Sequence, residues 1–174
     1  MKLTIDLHGI LLQLKIKGYV PSTHEDWISQ WCDVDFSFSS GNWLDYRREN
    51  NEVLLSYEVE TLADHIEKLL QDQLDEVTEI SCMEPDFHFM LHPKRDLRDD
   101  PKYIYVQEGY EIADISMQWT VTFWHKGLTN NYLSVTLDRA DMRVLLIYLQ
   151  YVIGKLEKTD PAVEELVRQA YLTD

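Results

Sequence analysis

The chain has 174 residues, and 16 basic against 31 acidic side chains leave a formal charge of −15. At 45% hydrophobic and 27% charged it has a globular composition, and its length suits one domain that needs no disulfide or metal staple. The charge disfavours nucleic acid and anionic lipid as electrostatic partners and favours a basic protein.

Two cysteines, Cys32 and Cys82, are too few for a secreted disulfide framework, and two free thiols are expected. The N-terminus places Asp6 inside the would-be apolar region, so no signal peptide is expected. No stretch approaches the ~18 apolar residues of a membrane helix. These features lead to the expectation of a cytoplasmic protein.

Leu3, Ile5 and Leu7 alternate with Thr4, Asp6 and His8, and Leu12, Leu14 and Ile16 with Gln13, Lys15 and Lys17. A period of two predicts one long strand bent at Gly9, or a tight pair. Residues 22–30 are polar around Trp27. Cys32, Val34, Phe36 and Phe38 then alternate with Asp33, Asp35 and Ser37, the cleanest strand signal in the chain. Ser40-Gly41-Asn42 predicts a turn into a strand at Trp43–Arg47, and Glu49-Asn50-Asn51 another turn before Val53–Tyr57.

The period then changes. Val59, Leu62, Ile66, Leu69 and Leu70 share one helical face, opposite Glu60, Asp64 and Glu67, which predicts a helix at about 59–74. Thr61 and Asp64 have capping-box spacing. Strands are expected at Thr78–Cys82 and Asp86–His92, an exposed, mobile charged loop over 93–102, and a strand at Tyr103–Gln107. Ile115, Met117, Trp119, Val121 and Phe123 predict a long strand, returned by Tyr132–Leu137. Asp138 caps a second helix at about 139–157, whose stripe is Met142, Leu145, Leu146, Leu149, Val152, Ile153 and Leu156. Asp160-Pro161 starts a short third helix.

Runs of hairpin-linked strands interrupted by helices predict an α+β fold with a mainly antiparallel sheet. A single domain over 1–174 is expected, with 160–174 as a C-terminal helical appendage and the second helix lying across a sheet face.

Glu84, Asp86, His88 and His92 fall on one strand face, with residue types that suit a divalent metal. A metal-dependent enzyme built on Glu84, Asp86 and His88 is therefore the competing function. The spacing opposes it: at ~3.3 Å per residue, His88 and His92 stand about 13 Å apart on a regular strand. No cofactor is expected. Cys32 falls on an inward face, where a thiolate is disfavoured, so it is a poor nucleophile. There is no Gly-x-Ser-x-Gly and no glycine-rich phosphate loop. Most of the five tryptophans read as core, but Trp124 shares the polar face of Thr120 and Thr122 and is a candidate partner or dimer contact.

Charge is the most informative feature. Residues 58–86 hold ten acidic side chains and one base, Lys68. Glu60, Asp64, Glu67, Asp75 and Glu76 are expected to form an acidic edge. That edge is either a solvated face or a docking surface for a basic partner, since a one-signed patch steers association.

Several segments together resemble the WapI-type immunity proteins, small bacterial proteins that neutralise wall-associated or polymorphic toxins. They are Trp27–Trp31 ahead of Cys32–Phe38, Ser56–Leu62 entering the first helix, Glu84-Pro85-Asp86-Phe87-His88-Phe89, and Ser116–Trp119 with Tyr132–Val135. The resemblance spans roughly residues 10–157, and Asp160–Asp174 has no counterpart in it. It implies a non-enzymatic protein that blocks a cognate toxin by direct association; separately, a monomer or homodimer is expected. It supplies no contact residues, so the acidic edge is a separate inference from charge. The third class open to the sequence is a self-associating structural protein.

Overall fold

His8 and Gly9 both take positive φ, 54° and 92°, which is the backbone of a two-residue hairpin turn. The N-terminal alternation is therefore a tight pair, β1 (Lys2–Leu7) and β2 (Ile10–Lys17), with Leu7 opposite Ile10. The structure is a computed structural model that describes residues 1–21 and 30–174, so the expectations placed on Trp27 and its neighbours in 22–29 lie outside the described residues.

β3 (Trp31–Ser40) pairs with β2 on one side and β4 (Leu44–Leu55) on the other. The turn expected at Glu49–Asn51 is instead an irregularity inside one continuous β4, with Asn50 at φ 50°. Neighbouring strands hold it there. Asp35 accepts the Asn50 N–H at 2.8 Å, and the Lys17 ammonium donates to both Asp35 and the Asn50 side chain.

α1 (Ser56–Leu70) starts and ends earlier than its stripe suggests. Its entry is satisfied by Glu58, whose Oε2 accepts the Leu55 N–H at 2.8 Å, rather than by Thr61 and Asp64. β5 (Thr78–Ser81) and β6 (Phe87–His92) follow. Next come β7 (Arg95–Asp96) and β8 (Ile112–Ala113), and then the hairpin of β9 (Ser116–Trp124) and β10 (Leu128–Leu137). The strand expected at Tyr103–Gln107 is absent; that segment belongs to the loop between β7 and β8. α2 (Arg139–Val152) is capped by Asp138, which accepts the Ala140 and Asp141 N–H groups, and ends before Gly154 at φ 76°. α3 (Pro161–Arg168) is capped by Asp160, and β11 (Leu172–Thr173) pairs antiparallel with the outer edge of β1.

Two antiparallel sheets result, ordered β11-β1-β2-β3-β4 and β10-β9-β6-β5, so the fold is α+β as the alternation predicts. They face each other across an aromatic core. Phe36 and Phe87 have ring centroids 4.8 Å apart, Phe38 and Trp119 5.7 Å, and Phe87 and Trp119 5.1 Å, all edge-to-face. Neither main helix lies on one sheet alone. α1 touches β4 and β6, α2 touches β1, β9 and β10, and the helices pack on each other, so each bridges the two sheets. Leu62, Ile66, Leu69, Leu145 and Leu149 are buried as their stripes require, while Val152 is only partly buried. Val163, Leu166 and Leu172 place the C-terminal segment in the same core.

Candidate docking surface

The residues expected to form an acidic edge lie on α1 and in the segment that follows it. Ten carboxylates lie between 58 and 86, but they do not act alike. Glu58 and Asp86 are buried. Glu60 accepts the Tyr19 hydroxyl at 2.6 Å, Asp64 pairs with Lys68 at 2.7 Å, and Asp72 lies 3.3 Å from Arg139. Glu79 accepts from His88 at 2.8 Å, which lowers its pKa. Among the described residues Glu67, Asp75 and Glu76 form no ion pair, and Asp75 and Glu76 are exposed. The free negative charge therefore gathers at the C-terminal end of α1 and the turn beyond it. Asp72 and Asp75 there line a groove of about 190 Å³ with Leu69, Leu74, Pro93, Lys94 and Ile115.

The four residues expected on one metal-binding face lie in different surroundings. His88 is engaged by Glu79. His92 lines a different cavity with Pro93, Arg95 and Thr136, and burial together with Arg95 lowers its pKa. Glu84 is half-buried. Asp86 precedes β6 and is 2% exposed. Among the described residues no group of three or more His, Cys, Asp or Glu side chains is placed to hold a metal ion. Both cysteines are free. Burial raises the Cys32 pKa and pushes Cys82 up to about 12, helped by Glu58 and Asp86, so neither thiol is readily ionised.

Trp124 is half-buried rather than standing free on the outer sheet face. Its backbone N–H donates to the Tyr46 hydroxyl at 3.2 Å, and the Arg48 guanidinium carbon lies 5.7 Å from its ring centroid. Its indole Nε1 and the Asp86 Oδ1 are both buried without a hydrogen-bond partner. Burial raises the Asp86 pKa, while the Arg48 charge pulls it back and Glu84 adds to the rise. This polar inclusion joins β4 to β9 across the sandwich.

The alternation and stripes do not reveal a further feature: the large apolar side chains of Tyr103, Ile104, Tyr105, Tyr110 and Ile112 are all exposed. The available signal is Tyr-Ile-Tyr set between a proline-bounded charged stretch and Gln-Glu-Gly.

Compared with known families, the chain matches the immunity protein WapI-like family over residues 2–157. The chain belongs to that family. Searches of curated proteins and of solved structures gave no match. The family match reaches from β1 to just past α2, so the second sheet, four of the five strands of the first sheet and both bridging helices of this immunity protein fall within it, while α3 and β11 lie beyond it. Among the described residues, no helix is long and apolar enough to cross a membrane.

Proposed function

We propose that this protein protects the bacterial cytoplasm by binding a cognate toxin directly, without catalysis, and that its acidic edge steers a basic toxin domain onto it. The family match carries the reading. It is supported by the unpaired carboxylates Glu67, Asp75 and Glu76, which lie on the last turns of α1 and the turn beyond it, Asp75 lining the groove there. A one-signed cluster of this kind raises the rate of encounter with an oppositely charged partner.

The test uses the cognate toxin domain, identified by pull-down with this chain or from the neighbouring genes. Neutralisation should titrate to a stoichiometric end point, and the toxin recovered from the complex by denaturant and refolding should be intact and active. Neutralisation by substoichiometric protein, or recovery of a chemically altered toxin, would instead establish an enzyme.

A further inference from the structure

The loop at residues 97–111 is ordered by its own polar groups. Its ends are clamped by the β7–β8 pair, Arg95 opposite Ala113 and Asp96 opposite Ile112, and by the Leu97 N–H donating to the Glu111 carbonyl at 2.7 Å. Asp96 accepts the Arg98 N–H at 2.9 Å and also holds the Arg98 guanidinium. Arg95 reaches Asp100 at 3.2 Å, and Asp100 accepts the Lys102 N–H at 3.0 Å. Further along, the Tyr110 N–H donates to the Gln107 carbonyl and the Gly109 N–H to Glu111. A loop whose ends meet and whose backbone is internally bonded is a compact unit, not a slack tether.

None of its side chains is buried. Ile104 is fully exposed, and Tyr105 and Tyr110 are 78% and 67% exposed. Contiguous exposed apolar groups on a soluble protein mark contact surfaces, and tyrosines dominate binding energetics at such surfaces because they bury large areas with little loss of rotamer freedom. The base of the loop adjoins the acidic edge, because Pro93, Lys94 and Ile115 form one wall of the groove lined by Asp72 and Asp75. Arg95 and Arg98 are neutralised by Asp100 and Asp96, so of these bases at the foot of the loop Lys94, in the groove wall itself, is the one that offsets the carboxylates there. A second copy of the chain would bring an equally acidic edge to this place. A basic partner meets no such repulsion.

We propose that Tyr103, Ile104, Tyr105 and Tyr110 are the anchors that hold the toxin, and that the partner surface is an apolar pocket or groove flanked by Lys and Arg. This rests on the toxin-binding reading above and divides its labour. The carboxylates act on association, and the loop, once its side chains are desolvated, acts on dissociation.

The experiment measures association and dissociation of the cognate toxin domain, identified as above, with the full chain, the Ile104→Ser/Tyr105→Ser double variant and the separate Tyr110→Ser variant. The double variant should dissociate faster by on the order of 30-fold or more, as truncating a hot spot requires, with association changed little. Thermal melts should stay at wild type because these side chains touch no core. Dissociation within about threefold of wild type for both variants overturns the loop as anchor and leaves the toxin-binding reading standing. Failure of the wild-type chain to bind the toxin domain removes both. Sedimentation that shows a dimer lost in the double variant, with toxin binding intact, reassigns the loop to self-association and also overturns the proposal.

Discussion

The hydroxyl oxygen of Tyr148, on α2, accepts the backbone N–H of Ile16, on β2, at 2.8 Å. β1 starts at Lys2, with Leu3 opposite Leu14, so the ladder on that side of β2 runs out at this point. The helix supplies the acceptor that the missing strand would have given. Tyr148 is fully buried, and this bond fixes where α2 sits against the first sheet.

Tyr148→Phe keeps the ring and leaves the Ile16 N–H buried without an acceptor. The variant should lose about 1–3 kcal/mol of stability, the desolvation cost of an orphaned donor, read by denaturant titration. A loss below about 0.5 kcal/mol, typical of an indifferent surface change, would mean that water reaches this amide. Leu149→Ala, one residue on, removes a packed side chain and should lose about 2–5 kcal/mol.

Glu58 ties the start of α1 to the approach to β6. Its Oε2 accepts the Leu55 N–H at 2.8 Å and its Oε1 the Met83 N–H at 2.6 Å. Glu58→Gln turns one acceptor into a donor facing an amide donor, so one of the two bonds must break. A loss of about 1–3 kcal/mol is expected. Faster amide exchange at Met83 together with Leu55 would confirm that the side chain bridges the two segments, and unchanged exchange at Met83 would refute it.

These two residues show what sequence pattern carries and what it omits. β1, β2, β3 and β9 are legible because each buries one face, so their alternation is dictated locally. The stripes of α1 and α2 are legible for the same reason, as are the Asp138 and Asp160 caps. Glu58 reads as one more surface acid because its second donor lies 25 residues ahead. Tyr148 reads as a stripe neighbour because its donor lies 132 residues back. The Asn50 irregularity masquerades as a turn because Lys17 and Asp35, which hold it inside β4, belong to other strands. Tyr103–Gln107 fails as a strand because no neighbouring strand supplies a ladder for its backbone. Within the acidic segment the charge count is correct, but pairing leaves far fewer free carboxylates than the count suggests.

Asp86 supplies a pH test. Burial raises its pKa in the folded chain above the unfolded value. The folded state therefore binds this proton more tightly, and stability from this group is fully present below the unfolded pKa and is lost as pH rises through the folded one. Asp86→Asn keeps the shape and removes the charge. Its melting temperature should exceed wild type at pH 7, and the difference should shrink as the pH falls and the carboxyl takes up its proton. A variant less stable than wild type at pH 7 would show that Arg48 more than offsets the cost of the buried charge.

The acidic edge makes a kinetic prediction that separates its two ends. On the helix, Glu60 accepts from Tyr19 and Asp64 is paired with Lys68. Glu60→Gln, Asp64→Asn and Glu67→Gln together therefore remove one unpaired carboxylate and two partnered ones. At the turn, Glu67→Gln, Asp75→Asn and Glu76→Gln remove three unpaired ones. Exposed i,i+4 pairs contribute only about 0.3–0.5 kcal/mol, so both triple variants should melt close to wild type. Attraction acts over the Debye length, about 8 Å at physiological ionic strength, and unpaired charges project it best. Stopped-flow association with the toxin domain at two salt concentrations should be slowed by both variants, more by the turn variant, each with a flatter salt dependence and a nearly unchanged dissociation rate. Wild-type association rates for both variants at both salts would make the edge a solvated face, and the toxin would have to be met elsewhere, with Trp124 beside Arg48 as the next surface to change.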